Sequence, residues 1–201
     1  MQRLSLITGL AAGSLSEGER RFLRETRPLG LILFARNCLA HDQIEALIGE
    51  ALEAIGSDET LVLIDQEGGR VQRLRPPLGR ELPPAAAYAA CYESGAPDEA
   101  CADARSAARL VADDLRALGI NTNCAPVLDL PVPGAHTIIG DRAYGATVEQ
   151  VVRLGRAVAQ GFMDGGVLPV IKHIPGHGRA TKDSHLDLPV VNTPHAELSA
   201  T

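Results

Sequence analysis

Four charged clusters carry residue types at spacings that can do chemistry. The densest is Lys172-His173-Ile174-Pro175-Gly176-His177-Gly178, a cation and two imidazoles on a turn shaped by Pro175, Gly176 and Gly178. A lysine is costly to bury without polar partners, so Lys172 is expected to face a ligand or a carboxylate. If the chain stays extended, Lys172 and His173 point to opposite sides. Asp183-Ser184-His185 follows. A carboxylate two residues from an imidazole fixes its tautomer and raises its basicity, as a proton-transfer residue near neutral pH requires. The run from Asp65 to Arg73, Asp-Gln-Glu-Gly-Gly-Arg-Val-Gln-Arg, offers carboxylates to accept from hydroxyls and guanidinium groups to donate to substrate oxygens. The last cluster, residues 138 to 145, sets Arg142 near Gly140, where a missing side chain lets backbone approach closely. Asp129, after Ala125-Pro126-Val127-Leu128, also falls near a strand end.

Each cluster has a plainer reading. Asp65 or Glu67 paired with a neighbouring arginine would only order a loop, Arg142 would be a solvated surface residue, Asp129 would fix its own loop, and the histidines would be structural. Ser184 invites a serine-nucleophile reading, but there is no G-x-S-x-G elbow. His173, His177, Asp183 and His185 lie within thirteen residues and make a zinc-like donor set. Their first interval suits a metal-binding helix, whereas Pro175 and Gly176 make it a loop.

The elements that must position these groups follow from periodicity. Short apolar runs at 4–8, 31–34, 61–64, 120–125 and 167–171 are of strand length and read as buried parallel strands. Between them, Ile44, Leu47, Ile48, Ala51, Leu52 and Ile55 fall on one helical face, as do Ala104, Ala108, Val111, Leu115, Leu118 and Val151, Leu154, Val158, Phe162. Ser16 with Glu19, Asp42 with Glu45 and Thr147 with Gln150 are expected capping pairs, and Gly56, Gly119 and Gly165 expected left-handed stops. Alternating strands and helices give an α/β fold with a parallel sheet, either doubly wound or a barrel. Residues 66–97 and 126–146 read as long connections after strands, where function concentrates.

Composition narrows the function classes. The chain has 201 residues, 25 acidic against 19 basic, for a formal charge of −6, which disfavours a nucleic-acid or anionic-membrane surface. At 45% hydrophobic and 22% charged it is neither disordered nor collagen-like. Cys38, Cys91, Cys101 and Cys124 show no C-x-x-C spacing, so a reducing cytoplasm is expected rather than a zinc ribbon or secreted disulfide framework. Arg3 followed by Leu4 to Ala12 imitates a signal peptide, yet Ser5, Thr8 and Gly9 break the run. No stretch approaches the roughly 20 apolar residues of a spanning helix.

Taken together, Asp65-Gln66-Glu67-Gly68-Gly69-Arg70, Ala125-Pro126-Val127-Leu128-Asp129, Lys172-His173-Ile174-Pro175-Gly176-His177-Gly178 and Asp183-Ser184-His185 resemble the family 3 glycoside hydrolases. Within them the chain is similar to the cytoplasmic bacterial β-N-acetylhexosaminidases of peptidoglycan recycling. Ile174 stands where that family usually has phenylalanine. The resemblance implies a (β/α)8 TIM-type barrel of which about the first five units are present, residues 1–201 being an N-terminal catalytic domain cut short. A helix starting at Thr193-Pro194 reaches only Thr201, and a closed barrel has eight strands and about 250 residues. It further implies that Asp65, Arg73, Arg142, Lys172 and His173 bind an N-acetylated sugar, that His185 is the acid/base oriented by Asp183, and that no metal or organic cofactor is used. The expected reaction is retaining hydrolysis of terminal β-linked N-acetylglucosamine in muropeptide fragments. Its aspartate nucleophile would lie beyond Thr201, so the chain alone is expected to turn over little or nothing. A non-catalytic sugar-binding fragment and a metal-dependent hydrolase are the alternatives.

Overall fold

A computed structural model describes residues 3–199. The elements run β1 (Leu4–Gly9), α1 (Glu17–Thr26), β2 (Pro28–Leu33), α2 (His41–Ile55), β3 (Leu61–Ile64), β4 (Gln66–Gly68), β5 (Val71–Gln72), α3 (Ala85–Glu93), α4 (Pro97–Ala117), β6 (Thr122–Asn123), α5 (Val148–Asp164), β7 (Leu168–Pro169) and α6 (His195–Leu198). Five strands make one parallel sheet in the order β1-β2-β3-β6-β7. The order never reverses, so the sheet lacks the switch point at which doubly wound folds bind ligands. All strands point the same way, and their carboxyl ends share one rim.

The apolar stripes account for the packing. In β3 the run Leu-Val-Leu-Ile is buried from Val62 to Ile64, as a strand covered on both faces should be. Ile44, Leu47, Ile48, Ala51 and Ile55 of α2 enter the same core, with Ala104, Ala108, Val111 and Leu115 of α4 and Leu154, Val158 and Phe162 of α5. Small residues let α4 and α5 meet closely: a Cβ on Gly161 would overlap the Arg105 carbonyl, and one on Gly165 the Ala112 side chain. The Ser16–Glu19 and Thr147–Gln150 capping boxes form as expected.

Several expectations need correction. The strands expected over 120–125 and 167–171 shorten to Thr122–Asn123 and Leu168–Pro169. Between β3 and β6, side-chain amides take over ladder positions. Asn121 accepts from the Val62 N–H and donates to the Thr60 carbonyl, while Asn123 accepts from the Gln66 N–H and donates to its carbonyl. Pro126 and Pro169 have no N–H to extend the pairing. Asp42 does not cap α2. The N-cap is Ala40, and Gln43 reaches back to accept from the Leu39 N–H. Gly165 is right-handed at φ −88°, and the left-handed residue is Gly166 at φ +72°. The connection 66–97 contains the β4–β5 hairpin and α3, whose alanine-rich sequence has no polar–apolar stripe to reveal it. The last helix is capped by Pro194 rather than Thr193, and its expected continuation through residues 200–201 lies outside the described residues. Among the described residues no helix is long and apolar enough to cross a membrane.

Candidate active site

The site is built on the rim from the residues that follow β3. Asp65 leaves the strand mouth and β4 turns at once into a tight hairpin through Gly68 and Gly69, both at positive φ (115° and 55°). A Cβ on Gly68 would run into the Pro83 carbonyl, so only glycine closes this turn. Gln66 between the two carboxylates is buried, and its amide accepts from the Arg73 and Leu74 N–H groups (2.9 and 3.0 Å) and donates to the Leu74 carbonyl (2.7 Å). Buried Asn123 grips the backbone of Gln66 in turn. This pair of amides fixes Asp65, Glu67 and Arg73 relative to β6.

From there a chain of alternating charge crosses the rim. Arg73 Nη2 donates to Asp65 Oδ2 at 2.9 Å, and Lys172 Nζ donates to Asp65 Oδ1 at 2.9 Å. The same ammonium lies 2.5 Å from Glu67 Oε1. Arg142 holds Glu67 in a two-pronged pair, Nε to Oε2 and Nη2 to Oε1, each 2.8 Å. Its Nη2 also lies 3.4 Å from His173 Nε2, and His173 Nδ1 lies 2.5 Å from Asp129 Oδ2. The contacts fit the tautomer that donates from Nδ1 to Asp129 and accepts from Arg142 at Nε2. Asp129 Oδ1 closes the chain by accepting from the His177 N–H at 2.5 Å. Three carboxylates face three permanent cations, so the cluster is close to charge-balanced.

Local structure explains how Arg142 arrives there. Its loop ends in a 3-10 turn over Gly140–Arg142, with Gly140 at φ +45°. Arg70 staples this loop to the hairpin by donating to the Ile138 carbonyl (2.5 Å), the Ile139 carbonyl (3.1 Å) and Asp141 (2.7 Å). Val127, Ile139 and Ala143 form a small apolar core beneath it.

Titration follows from these contacts. Burial alone would raise the Asp65 carboxyl, but Lys172 and Arg73 outweigh it and hold it below the usual carboxylate range. Asp129 behaves alike: burial opposes ionisation, and hydrogen bonds from His173 and the His177 N–H more than compensate. Burial works against the Arg142 cation, yet Glu67 keeps it charged well past neutrality. The Cys124 thiol below the cluster is pushed up to about 11, by burial first and then by Asp65.

Among the residues expected from the sequence, Asp65, Arg73, Arg142, Lys172 and His173 come together. Lys172 and His173 do not diverge to opposite sides: Lys172 still bridges in parallel to Val127, the peptide bond that follows it is cis, and both side chains enter the same cluster. Arg142 is not a solvated arginine; its side chain is 10% exposed. Asp183 and His185 pair as expected: Asp183 Oδ1 accepts from the His185 backbone N–H at 2.9 Å and lies 2.7 Å from the ring Nδ1. These two hydrogen bonds keep the Asp183 carboxyl below its usual range. The pair stands apart, however: His185 is 77% exposed, and no hydrogen bond among the described residues ties the pair to the cluster. Of the donor set His173, His177, Asp183 and His185, the ring centroids of His173 and His177 lie 6.5 Å apart, and Asp183 pairs with His185. Among the described residues no group of three or more His, Cys, Asp or Glu side chains is arranged to hold an ion. Glu67 and Asp129 are the members that sequence reasoning left without a role. The only signal for Glu67 was its place two residues after Asp65, and a polar three-residue strand does not reveal which way it faces.

Residues 3–201 match the model of the glycosyl hydrolase family 3 N-terminal domain. The chain belongs to glycosyl hydrolase family 3. Among curated relatives, the β-hexosaminidase of Methylococcus capsulatus is 44% identical over 180 residues, covering 90% of this chain and 52% of the relative. That of Alkalilimnicola ehrlichii is 42% identical, with 92% and 52% covered. The chain thus spans about half the length of the curated relatives it matches. Among solved structures, native NagZ from Neisseria gonorrhoeae superposes with a TM-score of 0.91 at 34% identity, covering 98% of this chain and 57% of that one. The same figures hold for that NagZ in complex with N-trifluoroacetyl-D-glucosamine. A family 3 β-N-acetylglucosaminidase from a Paenibacillus species gives 0.83 at 36% identity, covering 96% and 36%.

Proposed function

We propose that this chain is the sugar-binding part of a retaining exo-β-N-acetylglucosaminidase that removes terminal N-acetylglucosamine from peptidoglycan fragments in the cytoplasm. The observation that carries the reading is the charge-balanced cluster of Asp65, Glu67 and Asp129 with Arg73, Arg142 and Lys172, joined by His173 and built on a rim of parallel strand ends. A phosphate or carboxylate ligand calls for surplus positive charge, whereas alternating donors and acceptors suit a neutral polyhydroxylated ring. Asp65, Arg73, Arg142, Lys172 and His173 hold that ring. The N-acetylated glucosamine analogue bound by the similar gonococcal NagZ supports this choice of ligand.

His185 then acts as acid and base. Asp183 occupies Nδ1, which leaves Nε2 for the proton that passes to and from the glycosidic oxygen. This replaces the second carboxyl group of the usual glycosidase pair. The covalent step uses an aspartate supplied from outside these 201 residues, in a closed (β/α)8 barrel. The apolar edges favour such closure: Leu4 and Ile7 on β1 and Leu168 on β7 are exposed, and an apolar recess of about 390 Å³ lies between α5 and Leu128, Leu130 and Ile171.

The test is hydrolysis of 4-nitrophenyl N-acetyl-β-D-glucosaminide by this chain and by a version extended to the length of its relatives. Turnover only in the extended protein, lost in His185→Ala, is expected. Equal turnover in both overturns the placement of the nucleophile. The exposure of His185 favours one second reading, a sugar-binding unit without catalysis. That reading requires N-acetylglucosamine binding with no turnover even after extension.

A further inference from the structure

We propose that Glu67 is a positioning residue: it binds no sugar itself and fixes Arg142 and Lys172 where a ligand meets them. Both of its oxygens are already used, Oε2 by Arg142 Nε and Oε1 by Arg142 Nη2 and Lys172 Nζ. Its side chain is the most enclosed of the three, 8% exposed against 10% for Arg142 and 14% for Lys172. Asp65, at 17%, stands further out. Glu67 is thus no more open to solvent than the cations it holds. Three donors occupy most of the roughly four lone-pair sites of the Glu67 carboxylate, and Lys172 keeps a donor free: an ammonium has three and Lys172 shows two acceptors, Asp65 and Glu67. Arg142 Nη1 has a single long contact, 3.3 Å to the Ile138 carbonyl.

The arrangement also has an electrostatic logic. Arg142 and Lys172 arrive from different loops and would repel each other across a partly enclosed gap. A carboxylate between them turns that repulsion into a fixed spacing, and the rigid guanidinium fork fixes orientation as well as distance. Glu67 stands two residues after Asp65, and both carboxylates reach the Lys172 ammonium. If Glu67 is neutralised, the cluster carries three cations against two carboxylates; Lys172 keeps Asp65, while Arg142 loses both prongs of its carboxylate pair.

The inference rests on the sugar-binding reading for its affinity test and on geometry alone for its spectroscopic one. Glu67→Gln keeps the shape and removes the charge. In the chain as given, the Arg142 Nε–H resonance, assigned by its loss in Arg142→Lys, should be sharp and slow to exchange in the parent. It should be broadened or absent in Glu67→Gln. The dissociation constant for N-acetylglucosamine should rise about 30-fold, equivalent to about 2 kcal/mol. Glu67→Asp restores the charge without reaching both nitrogens of Arg142, so it should recover part of the affinity while the Nε–H signal stays lost. It also carries the test should Glu67→Gln fail to fold. An unchanged Arg142 signal together with affinity within twofold of the parent overturns the proposal. If the parent binds no N-acetylglucosamine, the sugar reading falls, and the Arg142 resonance alone decides the role of Glu67.

Discussion

Removing the Asp129 carboxylate is the sharpest test of how the cluster is anchored. Its side chain is fully enclosed, and it accepts two short hydrogen bonds, from the His173 ring and from the His177 N–H. Hydrogen bonds to a charged acceptor contribute about 1.5–3 kcal/mol each, and an unpaired buried donor adds a penalty of about 1–3 kcal/mol. Relief from burying the carboxylate offsets part of this. Asp129→Ala should therefore lose about 2–4 kcal/mol. With a slope of about 2 kcal/mol per molar urea, the unfolding midpoint should drop by about 1–2 M. A cycle with His173→Ala separates the two bonds, because His173→Ala breaks only one of them; the coupling should be at least about 1 kcal/mol. The effect has a defined pH dependence. The carboxyl of Asp129 is depressed in the folded chain, so its stabilisation is complete above the ordinary aspartate value of about 4 and fades as pH falls through the depressed one. Parent and variant should converge in acid. A midpoint shift below about 0.3 M at pH 7, or a gap that does not narrow as the pH is lowered below about 4, would refute the reasoning.

Other parts of the account yield separate predictions. Arg142→Lys replaces a fork that spans both Glu67 oxygens with a point charge, and N-acetylglucosamine affinity by titration calorimetry should fall at least tenfold; a change under twofold contradicts the role given to the fork. Cys38 and Cys124, both pushed up to about 11, hold only about one thiolate in a thousand at pH 8, so iodoacetamide should label the half-buried Cys91 and Cys101 at least tenfold faster; peptide mapping reads the order. A Cβ on Gly178 would overlap the Leu130 backbone, whereas one on Gly49 of α2 meets nothing within 4 Å. Gly178→Ala should therefore lower Tm by about 4–10 °C, and Gly49→Ala should raise it by about 1–4 °C, through lost overpacking space and gained helix propensity respectively.

The parts of this molecule legible in its sequence are those decided by local chemistry. Leu61 to Ile64 is an uninterrupted apolar run between polar neighbours, and β3 has those limits. Ser16 and Thr147 find their partners three residues on, so α1 and α5 begin where expected. Asp65 and Lys172 both follow strands, and parallel strands deliver their ends to one rim, which is why an ion pair between residues so distant in sequence was foreseeable. What escaped depends on tertiary placement. The amides of Asn121 and Asn123 take over pairing between β3 and β6 that apolar content alone would give to the backbone. Glu67 meets Arg142 only because a loop 75 residues away delivers the guanidinium to it, and periodicity carries no record of that. Asp183 and His185 pair locally as their spacing says, but spacing does not say where their loop lies relative to the cluster.

The central claim is that the rim cluster holds an N-acetylated sugar. Titration of the isotopically labelled chain with N-acetylglucosamine, followed by side-chain and backbone resonances, tests it most directly. The account predicts saturable shifts at Asp65, Arg73, Arg142, Lys172 and His173, with the α4–α5 face silent. Saturable binding that leaves those five residues unmoved, or no binding at all, would contradict it.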